Sequence, residues 1–123
     1  MPGPPAQLYR ALRMNIREIG WLGEAKAVAF LRRQGMRILA RRFRTAHGEI
    51  DLIAREGSVL VFVEVKTRPR GRLDSGLSAV NAEKRGHIRY AAREYLKRHG
   101  PAEYRFDVVE ITAAGPRHIK NAF

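Results

Sequence analysis

Within the apolar run Val59-Leu-Val-Phe-Val-Glu-Val-Lys66 a carboxylate and an ammonium stand two residues apart. Successive strand side chains point to opposite faces, so Val59, Val61, Val63 and Val65 share one face and Leu60, Phe62, Glu64 and Lys66 the other. A charge buried in such a strand is costly unless it is paired or binds a cation. A plain Glu64–Lys66 bridge meets that demand, and so does a metal ion. The preceding segment, Glu49-Ile-Asp-Leu-Ile-Ala-Arg55, adds weight to the metal. A hairpin turn at Gly57-Ser58 sets Asp51 directly opposite Glu64, whereas a turn at Glu56-Gly57 sets it opposite Phe62 and diagonal to Glu64. Both registers put the two carboxylates on one face, with β-carbons roughly 5–8 Å apart. Like charges at that distance repel, and a shifted pKa or a divalent cation relieves them. All-oxygen ligation favours Mg²⁺ or Mn²⁺ over zinc, with water completing the octahedron. Lys66 points into the same site as a point charge.

A third acid precedes these strands. Glu24 shares a helical stripe with Trp21, Ala27, Val28 and Leu31, which places it on an apolar face. Gly20 and Gly23 lower helix propensity there and permit close approach of another backbone. Glu24 either snorkels at the edge of the core, pairs with an arginine, or converges on Asp51 and Glu64.

The elements that must position these groups follow from pattern. Asn15 can cap a helix over Ile16 to Gln34, with Gly35 as its stop. Met36 to Arg44, apolar at its start and basic at its end, predicts an edge strand. Glu49 to Arg55 and Val59 to Lys66 predict a hairpin whose second strand, rich in β-branched residues, is central and covered on both faces. Pro69 to Leu77 predicts a loop, and Ala79 to His99 a second helix whose stripe is Val80, Ile88, Ala91, Ala92, Tyr95 and Leu96. Gly100-Pro101 ends it. Tyr104 to Thr112 predicts a further strand, and Ile119 to Phe123 a short last one.

The chain has 123 residues, near the commonest domain size, so residues 1–15 read as a loose tail and 16–123 as a single domain. It has no cysteine, which excludes disulfides and thiolate metal sites and fits a reducing cytoplasm. No apolar run reaches the roughly 20 residues that span a bilayer, so no membrane partner is expected. Lys plus Arg number 24 against 12 acidic residues, a formal net charge of +12 dominated by arginine. Guanidinium forks bind phosphate oxygens in pairs, and such an excess supplies affinity for nucleic acid through counterion release. The competing reading is arginine-rich codon usage.

At Gly48-Glu-Ile-Asp51 and Phe62-Val-Glu-Val-Lys-Thr-Arg68 the chain resembles the YraN-type family of small bacterial proteins. More distantly it resembles the Holliday-junction resolvase branch of the PD-(D/E)xK nuclease superfamily. The likeness takes in Gly23-Glu24, Lys84, Arg105-Phe-Asp-Val108 and the closing Asn121-Ala-Phe123. It implies an α/β, restriction-endonuclease-like αβββαβ core, with a central mixed sheet flanked by helices. It also implies roles. Asp51 and Glu64 hold the metal, Lys66 orients the attacking water or stabilises the transition state, and Glu24 matches the helical glutamate of the resolvase branch. Two departures stand out: Ile50 replaces the superfamily's proline, and Arg42 stands where the family often has asparagine.

The expected catalytic residues are therefore Glu24, Asp51, Glu64 and Lys66, with Mg²⁺ or Mn²⁺ on the three acids. Arg42, Arg44, Arg68, Arg70, Arg72 and Lys84 are the expected nucleic-acid contacts. Lys84 points either to the sheet and a phosphate or into solvent. The partner is nucleic acid, DNA before RNA, and resolvase likeness implies a homodimer. Arg105 and Asp107 read as a pair across the outer face of a sheet edge. His47, His87, His99 and His118 read as surface residues, and the aromatic residues as core rather than base-stacking platforms. A metal-dependent endonuclease is the expected activity. Its rivals are a non-catalytic binder with the same fold and an accessory subunit docking through Arg68 to Arg72.

Overall fold

The structure, a computed structural model, describes residues 16–68 and 81–123. The tail and its Asn15 cap, the loop with Arg70 and Arg72, and Ala79-Val80 lie outside the described residues. Helix α1 spans Ile16–Arg33. Ala27, Val28 and Leu31 of its stripe are fully buried, and Arg32 and Arg33 place positive charge where the helix dipole is negative. Gly35, at φ 88°, turns the chain out of the helix, and its N–H donates to the Arg32 carbonyl.

Three strands follow: β1 at Arg37–Arg44, β2 at Glu49–Glu56 and β3 at Val59–Arg68. After them come helix α2 at Ala82–His99, β4 at Tyr104–Thr112 and β5 at Gly115–Ile119. The five strands form one sheet in the order β1-β2-β3-β4-β5, with β1 at an edge and β3 central. Only β3 and β4 are parallel, and α2 provides the long crossover that parallel neighbours need. The sheet is mixed and flanked by helices, as the resemblance implies.

The period-2 pattern of β3 divides the core as expected. Val61 and Val63 pack with Leu52, Val109 and the α1 stripe, while Leu60 and Phe62 pack with Ile53, Phe106 and the α2 residues Ile88, Ala92 and Tyr95. Removing Phe62, which has no exposed surface and joins the aromatic cluster of Tyr95, Tyr104 and Phe106, would cost about 3–5 kcal/mol.

Three expectations need correction. Helix α2 starts at Ala82 rather than Ala79, because Asn81 is extended and its side chain accepts the Lys84 N–H at 2.9 Å as an N-cap. The last strand is Gly115–Ile119 rather than Ile119 to Phe123. A turn at Ala113-Ala114, held by the Thr112 hydroxyl, returns the chain antiparallel along β4, and Pro116 is tolerated because β5 is an edge strand. Asn121 (φ 51°) then turns the tail inward, where Ala122 N–H donates to the Phe106 carbonyl and Phe123 stacks on the Phe106 ring. Trp21 does not join the core with the rest of its stripe: it is 46% exposed at a cavity wall.

Candidate metal centre

The register of the β2–β3 hairpin fixes the central pair. Leu52 faces Val63 and Ile53 faces Phe62, which is the alignment of the Gly57-Ser58 turn, with Gly57 at φ 61°. The pairing ends at Leu52, and the same register carried one residue further aligns Asp51 with Glu64, whose charge acts on it. One Asp51 oxygen accepts the Val65 N–H at 2.8 Å, so the carboxylate caps the end of the β2–β3 pairing. Glu64 is buried, and the Lys84 ammonium pairs with it from the first turn of α2. Lys84 therefore turns to the sheet, where it meets a carboxylate.

These contacts set the electrostatics. Burial and then the Glu64 charge push the Asp51 carboxyl up to about 7, against the opposing pull of the Val65 N–H and Lys84. Burial and then the charge of Lys84 hold Lys66 below the ordinary lysine value. Burial pulls Lys84 down too, but its bond to Glu64 together with the charges of Glu64 and Asp51 outweighs that and leaves it raised. Two acids and two ammoniums thus share one corner of the sheet.

Glu24 approaches that corner from the other side. Its carboxylate accepts Arg42 Nε at 3.1 Å, realising the arginine pairing open to it in the sequence. Glu24, Arg42, Arg44, Asp51 and Lys66 all line one cavity of about 460 Å³, with Trp21 at its wall. A methyl group on Gly23 would collide with the Thr67 hydroxyl, so the missing side chain lets α1 press against β3 one residue beyond Lys66. Nothing lies near the open side of Gly20.

Among the described residues, no three His, Asp or Glu side chains stand together as a ready-made metal cage. The centre is a pair, Asp51 with Glu64, and Asp51 shares its cavity with Glu24 and Glu49. A donor set of carboxylate oxygens fits a hard divalent cation that keeps several waters.

Of the expected nucleic-acid contacts, Arg42 and Arg44 stand on the cavity wall, and Arg44 lies 3.4 Å from Glu49. Arg42 has φ 51°, a conformation that asparagine tolerates better than arginine. Arg68 donates Nε to Glu110 at 2.7 Å and is largely engaged in holding that acid.

One buried acid escaped the sequence reading, and a second pairs with Arg105 as expected but not on the face expected. Glu110 is fully buried, its Oε2 bound by Arg68 and its Oε1 3.9 Å from Arg117. The signal was a glutamate between Val109 and Ile111 in an apolar strand. Asp107 is also fully buried, not on an outer face. It accepts Arg105 Nε at 3.0 Å, the Asn121 N–H at 3.0 Å, and lies 2.7 Å from His118 Nε2. Burial raises its pKa, but these donors win and hold it below the usual carboxylate range. His118 is therefore largely covered rather than a surface residue. With Glu56 on Arg105, this network ties β2, β4 and β5 together.

A model of the uncharacterised protein family UPF0102 matches residues 23–111, which hold Glu24, Asp51, Glu64, Lys66 and Lys84. A UPF0102 protein of Symbiobacterium thermophilum is 48% identical over 115 residues, covering 87% of this chain and 97% of its own. One of Caldicellulosiruptor saccharolyticus is 45% identical over 100 residues, covering 80% and 85%. One of Geobacter metallireducens is 42% identical over 118 residues, covering 91% and 97%.

Proposed function

The chain belongs to the uncharacterised protein family UPF0102, and we propose that it binds nucleic acid and hydrolyses phosphodiester bonds with Mg²⁺ or Mn²⁺. The observation that carries this reading is the pair Asp51 and Glu64, two carboxylates forced together on one strand face, with Lys66 beside them. Structural needs alone would be met more cheaply by apolar residues at these positions. Asp51 and Glu64 would hold the cation, with Glu24 as a further acid of the cavity. Bound there, the metal supplies Lewis-acid polarisation of the phosphate and a water of lowered pKa. Lys66 places a positive charge where the phosphate oxygens gain charge and orients the attacking water. Arg42 and Arg44 hold the polyanion at the cavity mouth, and DNA is the preferred polymer.

One observation favours a second reading, a non-catalytic nucleic-acid binder. Lys84 already brings an ammonium to Glu64, so the acid pair is partly neutralised without metal. A cleavage assay over linear, nicked, branched and single-stranded substrates with Mn²⁺ separates the two. Wild type should cut at least one substrate. Lys66→Ala should cut it about 100-fold more slowly, the scale of losing one transition-state donor, while binding it almost as well. Equal trace rates in both proteins would leave the binder.

A further inference from the structure

We infer that Trp21 is a stacking platform for an unpaired nucleobase, so that the site takes single-stranded or flapped nucleic acid rather than uninterrupted duplex. This rests on the nuclease reading and names its substrate class. Trp21 is one of few large apolar side chains left exposed among the described residues, at 46%, and it lines the same cavity as Asp51 and Lys66. A base seated on it therefore leaves its phosphate in the cleft that Asp51 and Lys66 line. The guanidiniums of Arg17 and Arg42 lie over the ring at 5.3 and 5.4 Å. Both are planar cations that pass readily from an aromatic face to a phosphate oxygen, which frees the face for a base of similar shape. Arg42 sits between the two tasks, reaching both the ring and Glu24. A paired base is already stacked on both faces within its helix and offers no surface to such a ring. An unpaired one does, and stacking of this kind is indifferent to base identity. The chain's net charge of +12 supplies the backbone attraction that base stacking alone lacks.

Trp21 is the sole tryptophan, so its emission reports on the platform directly. The full chain is titrated at low salt, in EDTA, with a dye-labelled oligothymidine and with a blunt duplex of equal length, following dye anisotropy and tryptophan emission together. Anisotropy should rise with both, but strong quenching should accompany only the single strand. Trp21→Ala should weaken single-strand binding on the order of tenfold and duplex binding less than twofold, while Trp21→Phe keeps most of the single-strand affinity. Circular dichroism melts of both variants confirm that they fold. Binding without selective quenching, or equal losses on both oligonucleotides in Trp21→Ala, would overturn the platform and leave the nuclease reading standing. No anisotropy change with either oligonucleotide would overturn both.

Discussion

Asp51 has one oxygen tied to the Val65 N–H, faces Glu64, and carries a carboxyl pushed up to about 7 chiefly by burial. Its folded pKa lies above the 3.8 of the free side chain, so the folded state binds more protons in the window between. The stability this contributes is complete below the unfolded value and is lost as pH rises through the folded one. Asp107 has the opposite sign: its depressed pKa contributes stability that is lost only as the solution turns acid. Metal-free protein should therefore melt at lower temperature at about pH 8 than at about pH 5, and Asp51→Asn should flatten that slope. Equal slopes in the two proteins would contradict the assignment. Lys84 extends the argument, because its ammonium competes with any cation for Glu64. Lys84→Met should bind Mn²⁺ more tightly than wild type in a fluorescence-quenching titration, and weaker binding would show that Lys84 supports the metal rather than opposing it.

Helix α2 delivers Lys84 through a single cap. Asn81 accepts the Lys84 N–H itself, so Asn81→Ala should cost about 1 kcal/mol, read as a lower urea midpoint with unchanged slope. Helix α1 delivers Glu24 through the Gly23–Thr67 contact. Gly23→Ala gains about 1 kcal/mol of helix propensity but overpacks the contact by about 1–3 kcal/mol, so it should destabilise. Adding Thr67→Ala should recover that loss, whereas additive losses would place the strain elsewhere. At this scale much was legible in the sequence. The valine face of β3, the two turn choices at Gly57 and the Gly35 stop of α1 are local rules; they put Asp51 and Glu64 on one face, and the fold selects the Gly57-Ser58 register. What was not legible depended on the tertiary surround. Nothing local says that Gly115-Pro116 continues into an edge strand, since the same residues open turns. Nothing local says that Trp21 stays half exposed at the cavity wall while Ala27, Val28 and Leu31 of its stripe are buried. The partners of Asp107, reaching across from His118 and Asn121, lie beyond the reach of a strand pattern.

The whole molecule pairs an acidic corner with a basic body. A formal net charge of +12 on 123 residues predicts nucleic-acid binding whose logarithm falls steeply and linearly with the logarithm of salt, with a slope of several counterions. A flat response would remove the electrostatic basis of the interface. No described helix is long and apolar enough to cross a membrane. The acid corner draws its groups from α1, β2, β3 and α2, so one ion held there reports on the whole arrangement. Calorimetric titration of Mn²⁺ into wild type, Asp51→Asn and Glu24→Gln tests the central claim most directly. Wild type should bind one ion per chain, Asp51→Asn should give no heat above dilution, and Glu24→Gln should bind with reduced affinity. Equal heats in wild type and Asp51→Asn, or none in wild type, would contradict the assignment of a metal centre to Asp51 and Glu64.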